Sequence, residues 1–380
     1  MKFKKVVGVV FVLAGGVLGG AASANAVLTP LPVKTSSADE YLPAAQDVWL
    51  SWTRAPHAHP RRENVYVSDG SGGRIKVNPA ATRGEGGGID GQTLVYYQYK
   101  GRRAGDIRRF NLTTHKRSNF SAKVSSRWDE YHPTISGHWV LFTRYFSTTN
   151  TTRVLLFNRQ THALRRLGSA QGRHRYVYSG QVNGDFAVWG RVRPRGQDVY
   201  RYRISTRSNT RIPRPVFAQY NPAVSQDGTI YYQRSGNGCG ASTKLVRRPL
   251  GASPTVLRAF PNRVDGGFMY VDERADGSLQ MFYAQVKCRS GRWDIYKVVD
   301  SHTVTVSRDG TGSGSVSSDP AGIDCGSTCQ ATFHGGSTVT LTATADPGSV
   351  FSGWSDPSCG MNTTCVVTVE GDVSLTATFN

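Results

Sequence analysis

One apolar strand signature recurs six times between Asp47 and Asp300, about 45 residues apart. The copies are DVWLSWTR from Asp47, QTLVYYQYK from Gln92, HWVLFTRYF from His138, DFAVWGRV from Asp185, GTIYYQRS from Gly228 and LQMFYAQV from Leu279. Most lead into a second alternating strand: NVYVSD, DIRRFNL, RVLLFN, DVYRYRI, KLVRR and DIYKV. A repeat of this period implies stacked sheets rather than one ordinary globular core. No long segment carries a 3.6-residue period, and β-branched and aromatic residues dominate, so helices are not expected.

Two strands with short flanking segments fit four strands in about 45 residues, the size of a propeller blade. In the third repeat these are EYHPTIS, HWVLFTRYF, TTRVLLFN and ALRRLG; in the fifth, YNPAVS, GTIYYQRS, TKLVRRPL and PTVLRAF. The expected fold is all-β, with a six-bladed β-propeller over residues 27–300. The last repeat lacks a clear fourth strand after Val299. Val27–Val33 is the segment that can supply it, because an open last blade would leave unpaired edges.

The N-terminus reads as an export signal over residues 1–26. Lys2, Lys4 and Lys5 precede an apolar stretch from Val6 to Leu18, and Ala24-Asn25-Ala26 is a small-residue cleavage site. The stretch is short and broken by glycine for a membrane span. A secreted or extracytoplasmic product, in part associated with the cell wall, is therefore expected. Six cysteines suit export. Cys325 with Cys329 and Cys359 with Cys365 lie close in sequence, and Cys239 and Cys288 occupy equivalent loops of consecutive repeats. Three disulfides in that pattern are expected. A four-cysteine zinc site is the rival reading, but its spacings do not match the usual knuckles.

The formal charge is +20. It is unevenly placed: residues 301–380 hold Arg308 against seven acids, so residues 27–300 carry about +23. Such a field concentrates anionic partners, although an arginine-rich base composition produces the same excess.

Two copies carry a more specific pattern. Asn221-Pro222-Ala223-Val224-Ser225-Gln226-Asp227-Gly228 precedes Thr-Ile-Tyr-Tyr, and His132-Pro133-Thr134-Ile135-Ser136 precedes Gly-His-Trp-Val-Leu-Phe. This resembles the P-x-x-S-x-D-G-x-x-h-x-F/Y motif of WD40-like propellers of the TolB type, where Ser and Asp-Gly close a tight turn. The resemblance implies a propeller and protein-interaction roles, and it brings no catalytic residues. Residues 301–380 are a separate unit rich in Gly, Ser, Thr and Val. They contain G-x-G-x-V, PAGIDCGSTC, LTAT, FSGW and a final ATF in order. This is similar to the divergent InlB-type B-repeat. That resemblance implies a small β-grasp-like module with Phe351 and Trp354 in its core, stapled by two short disulfides.

No strong catalytic signature is present: there is no G-x-S-x-G elbow and no H-E-x-x-H. Gly310, Gly312 and Gly314 read as a hairpin loop. His57-x-His59 lies beside Arg61 and Arg62, which repel a cation, so a solvated loop is expected and no metal or cofactor. Asp129 and Glu130 form an acid pair, but neighbours in a strand point to opposite faces.

In a four-stranded blade, loops between strands two and three share a face with the segments entering strand one. Those loops are basic, holding Arg61 and Arg62, Arg102 and Arg103, Arg193 and Arg195, and Lys287, Arg289 and Arg292. The entering segments supply Trp128, Glu130 and Tyr131; Arg175, Tyr176 and Tyr178; and Gln219, Tyr220 and Asn221. Arginine forks bind carboxylate or phosphate, and aromatics add flat contact area. The expected function is non-catalytic binding of an anionic wall polymer or an acidic envelope protein. The alternatives are a glycan-cleaving propeller using carboxylates such as Glu130, and an extracellular nucleic-acid binder. The ligand and the oligomeric state stay open.

Overall fold

The computed structural model describes residue 28 and residues 31–380, apart from 58–61, 101–102, 195, 214–217, 236–242, 261–263 and 275–276. At 100, 103–104, 235 and 264–265 it describes the backbone alone. The export-signal segment 1–26 lies outside the described residues.

Strands between residues 31 and 299 form six antiparallel sheets. The first contains Asp39–Gln46, Trp49–Ala55, Asn64–Ser68 and Ile75–Lys76. The third runs Asp129–Ser136, Trp139–Phe146, Thr151–Asn158 and Leu164–Gln171 in simple meander order. The fourth (176–211) and fifth (218–259) repeat that order. The sixth has Val264–Glu273, Leu279–Lys287 and Trp293–Val299 from its own repeat, and its outer strand is Leu31–Lys34. Leu31 pairs with Lys297 and Pro32 with Tyr296. The N-terminal segment therefore covers the edge left by the last repeat.

Apolar clusters lie between neighbouring sheets. Val95 and Ile107 of the second sheet pack with Ile135, Val140, Phe142 and Phe157 of the third. Leu141 and Leu156 pack in turn against Val177, Ala187 and Trp189 of the fourth. The second strands are buried almost throughout because both faces meet a neighbouring sheet. This is why the six signature segments read as near-continuous apolar runs.

The second sheet departs from the pattern. Its innermost strand is broken into Arg83–Glu85 and Ile89–Asp90 around Gly86, Gly87 and Gly88. A Cβ on Gly87 would stand 2.4 Å from the Pro133 carbonyl oxygen. Only glycine lets the two backbones come that close.

Residues 301–380 form two further sheets of four and three strands. At the centre of the larger sheet, Ser301–Asp309 runs parallel to Val373–Phe379. Such a central parallel pair is what a β-grasp-like expectation requires. Among the described residues a three-stranded sheet, not a helix, covers it. Trp354 is buried, and Phe351 packs against it at 5.4 Å between ring centroids. Cys325–Cys329 and Cys359–Cys365 are disulfides, which excludes the four-cysteine zinc reading. Cys288 is also disulfide-bonded; Cys239 lies outside the described residues.

Candidate functional site

Each sheet sends its first strand to a common axis, and five of these strands carry a bulge at the same level. In three of them the bulge is an X-Pro step whose first residue has positive φ: Leu42 (52°), His132 (49°) and Asn221 (51°). These steps line a narrow cavity of about 40 Å³ with Phe268, Met269 and Tyr178. Its walls are largely apolar. His132 packs edge-on to Phe268 at 4.8 Å, and burial pushes its pKa down to about 4. A neutral ring here holds the axis together and offers no charge to a ligand.

Two residues expected on the binding face belong to this axial ring. The Tyr178 hydroxyl accepts a hydrogen bond from the Asn221 backbone N–H at 3.2 Å. It also lies 3.4 Å from Gln197 Oε1. Asn221 Nδ2 donates to Gln233 Oε1 at 2.9 Å. Both side chains are thus engaged within the protein.

The loop geometry expected from sequence holds. Asp129 at the start of its strand pairs with Tyr145, which pairs with Thr152 across the next loop. Strand entries and second-to-third loops therefore share one end of the propeller. Glu130, however, must be removed from the binding set. It is fully buried, its carboxylate meets Arg144 Nε at 2.7 Å, and Ser126 donates to it through both N–H and hydroxyl. Burial raises its pKa, against the lowering pull of Ser126 and Arg144. Asp129 faces the other way and accepts from the Tyr97 hydroxyl at 2.7 Å and Gly105 N–H at 2.9 Å. The two carboxyls therefore do not form a shared acid pair.

Arg193 pairs with Asp198 at 3.1 Å, a carboxylate that Arg211 also approaches at 3.4 Å. Tyr220 lies 3.3 Å from the Thr243 hydroxyl. Tyr131 is half-buried, and Tyr176 remains exposed. Arg61, Arg102 and Arg195, and the side chain of Arg103, lie outside the described residues. His57 is not a merely solvated loop residue: its Nδ1 sits 3.0 Å from each Asp39 oxygen. His59 lies outside the described residues. What persists on this face is a stack. Arg127 lies over Trp128 at 4.7 Å, Trp128 meets Phe146 at 5.1 Å, and Arg153 lies over Phe146 at 4.4 Å.

The opposite end holds a feature that sequence reasoning missed. Between the second and third sheets lies a cavity of about 530 Å³ lined by Arg109, Arg159, His138, His162, Phe120 and Phe157, with no carboxylate among the described residues that line it. Arg109 sits over Phe120 at 5.0 Å and donates to the Asn119 carbonyl at 2.9 Å. Arg159 donates to the Gly137 carbonyl at 3.2 Å. Burial, and then the charge of Arg159, hold the Arg109 pKa below its ordinary value. Two guanidiniums that repel each other across an acid-free cavity are a ready receptor for an anion. The RR pair of DIRRFNL and the R-Q-T-H turn after RVLLFN were the available signals. Their meeting depends on inter-sheet packing that the sequence does not display.

Residues 302–380 match the family described as the divergent InlB B-repeat domain. No curated protein matches the chain. Similar solved structures include TolB from Acinetobacter baumannii, at 14% identity and a TM-score of 0.44. That match covers 67% of this chain and 64% of that one, less than two thirds of its length. The putative TolB from Agrobacterium tumefaciens is 11% identical, with a TM-score of 0.46 and coverage of 68% and 90%. Oligogalacturonate lyase from Vibrio parahaemolyticus is 8% identical, with a TM-score of 0.43 and coverage of 71% and 84%.

Proposed function

We propose that this chain is an exported, non-catalytic binding protein of the cell envelope that grips an anionic polymer or an acidic protein surface. The observation that carries the reading is the acid-free cleft between the second and third sheets, where Arg109 and Arg159 face each other beside two histidines and two phenylalanines. The long-range excess of about +23 over residues 27–300 would bring an anion to it. Phosphate-bearing or uronic-acid wall polymers fit: their anionic groups suit the arginine forks, and sugar faces suit Phe120 and Phe157. The Arg127–Trp128–Phe146–Arg153 stack at the other end is a second contact surface of the same chemistry. A carboxylate-pair glycosidase is disfavoured by the burial of Glu130 and the engagement of Asp129.

The test is retention by whole envelopes, and by immobilised polygalacturonate and poly(glycerol phosphate), at low and high salt. Binding should weaken steeply with salt because screening shortens the reach of each charge. Arg109→Ser with Arg159→Ser should abolish retention, while Arg127→Ser with Arg153→Ser should reduce it less. Salt-independent retention, or retention unaffected by the first pair, overturns the cleft assignment. Displacement by DNA more readily than by either polymer would move the partner to nucleic acid.

A further inference from the structure

We infer that Asp227, Glu273 and His334 form a divalent-cation site that clamps the C-terminal unit to the propeller. The three residues come from separate elements. Asp227 lies in the turn after the first strand of the fifth sheet, Glu273 ends the first strand of the sixth, and His334 ends Gln330–His334 of the C-terminal unit. One ligand atom from each lies within 4.8 Å of the others. His334 Nε2 is 3.8 Å from Asp227 Oδ2 and 4.0 Å from Glu273 Oε1. These distances are too long for hydrogen bonds. They suit ligands of one ion, since bonds of about 2.1 Å separate neighbouring ligands by roughly 3 to 4 Å.

Both carboxylates are oriented from behind. Glu273 Oε2 accepts from Asn183 Nδ2 at 2.8 Å and from the Gln226 N–H at 2.7 Å, which leaves Oε1 turned toward His334. Asp227 Oδ1 accepts from the Ser225 hydroxyl at 2.6 Å and the Thr229 N–H at 2.8 Å, and Thr229 Oγ1 reaches Oδ2 at 2.8 Å. Such fixed outer partners are what hold metal-ligating carboxylates in place. The Asp227 and Glu273 ligand atoms lie within 4.8 Å of each other, so a cation between the two carboxylates offsets their mutual repulsion. One imidazole with two carboxylates suits zinc or manganese better than calcium, with water completing the coordination.

The backbones meet at the same place. A Cβ on Gly277 would stand 2.1 Å from the Thr332 carbonyl oxygen. An ion bound here would fix how the C-terminal unit sits on the propeller, on the end that also carries the basic cleft.

The full chain, stripped with a chelator, should be titrated with zinc and manganese chloride by calorimetry and by thermal melting. One equivalent should bind, and the melting temperature should rise by several degrees as the bound form is stabilised. His334→Gln should abolish both effects. Asn183→Ala, which keeps every ligand, should weaken affinity about 10- to 100-fold. Absence of binding heat overturns the site, as does binding that both variants leave unchanged. A melting temperature that ignores both metal and chelator overturns it equally.

Discussion

Glu130 enters the chain between Trp128 and Tyr131, in a stretch whose composition suits a binding surface, yet its carboxylate is turned inward onto Arg144. Sequence gives the residue types on that strand but not which side the bulge at Tyr131/Thr134 and the approach of Ser126 present to solvent. A buried pair is costly to break from one side, because the remaining charge stays dry and unpaired. Arg144→Met should therefore cost roughly 3 to 5 kcal/mol in urea unfolding. Pairing it with Glu130→Leu should recover much of that loss. Glu85 makes a second prediction. Burial raises its pKa from 4.5 to about 7, against the lowering bond from the Tyr99 hydroxyl. Between those values the folded chain keeps a proton that the unfolded chain has released. Its contribution is thus fully present below about 4.5 and is lost as pH rises to about 7. Melting temperature measured across that window should fall with pH in the native chain, and less steeply in Glu85→Gln.

Strands were the most legible elements. Period-two alternation and buried apolar runs located all four strands of the third and fifth sheets, and the shortfall after Val299 pointed to the N-terminal segment that pairs there as Leu31–Lys34. The innermost strand of the second sheet left no such trace, since Gly86, Gly87 and Gly88 carry no side chains to alternate. Glycines also serve packing within strands. A Cβ on Gly190 would lie 2.1 Å from Cζ of Tyr178, so the tyrosine ring occupies the space of the missing side chain. Gly190→Ala should displace Tyr178 from the axis, free the Asn221 N–H and cost about 1 to 3 kcal/mol by overpacking. Gly73→Ala meets nothing within 4 Å and should stay within about 0.5 kcal/mol of the parent in the same denaturation series.

At the scale of the whole molecule, net charge and its division between the two parts were legible, and which arginines stay available was not. An arginine's availability depends on which carboxylate reaches it: Arg193 shares Asp198 with Arg211, whereas Arg109 and Arg159, from successive repeats, meet no acid among the described residues of their cleft. The same dependence governs how the two parts of the chain are joined. Arg247, in the third strand of the fifth sheet, is only 2% exposed at its side chain. Its Nη1 donates to both oxygens of Asp300 at 2.9 and 3.0 Å, and its Nη2 to Glu370 of the C-terminal unit. One guanidinium thus ties a propeller sheet, the residue leaving the propeller and the appended unit. Glu370 is one-third exposed, so Glu370→Gln should cost about 1 kcal/mol or less. Arg247→Met strands Asp300, itself 1% exposed, without its cation and should cost roughly 3 to 5 kcal/mol. Differential scanning calorimetry can separate the consequences. If this arginine couples the two units, the native chain should melt in one transition that splits in Arg247→Met, and proteolysis should accelerate near residues 300–302. One undivided transition at a lower temperature would instead make Arg247 a support of the fifth sheet alone, and leave the joint to the contacts around His334.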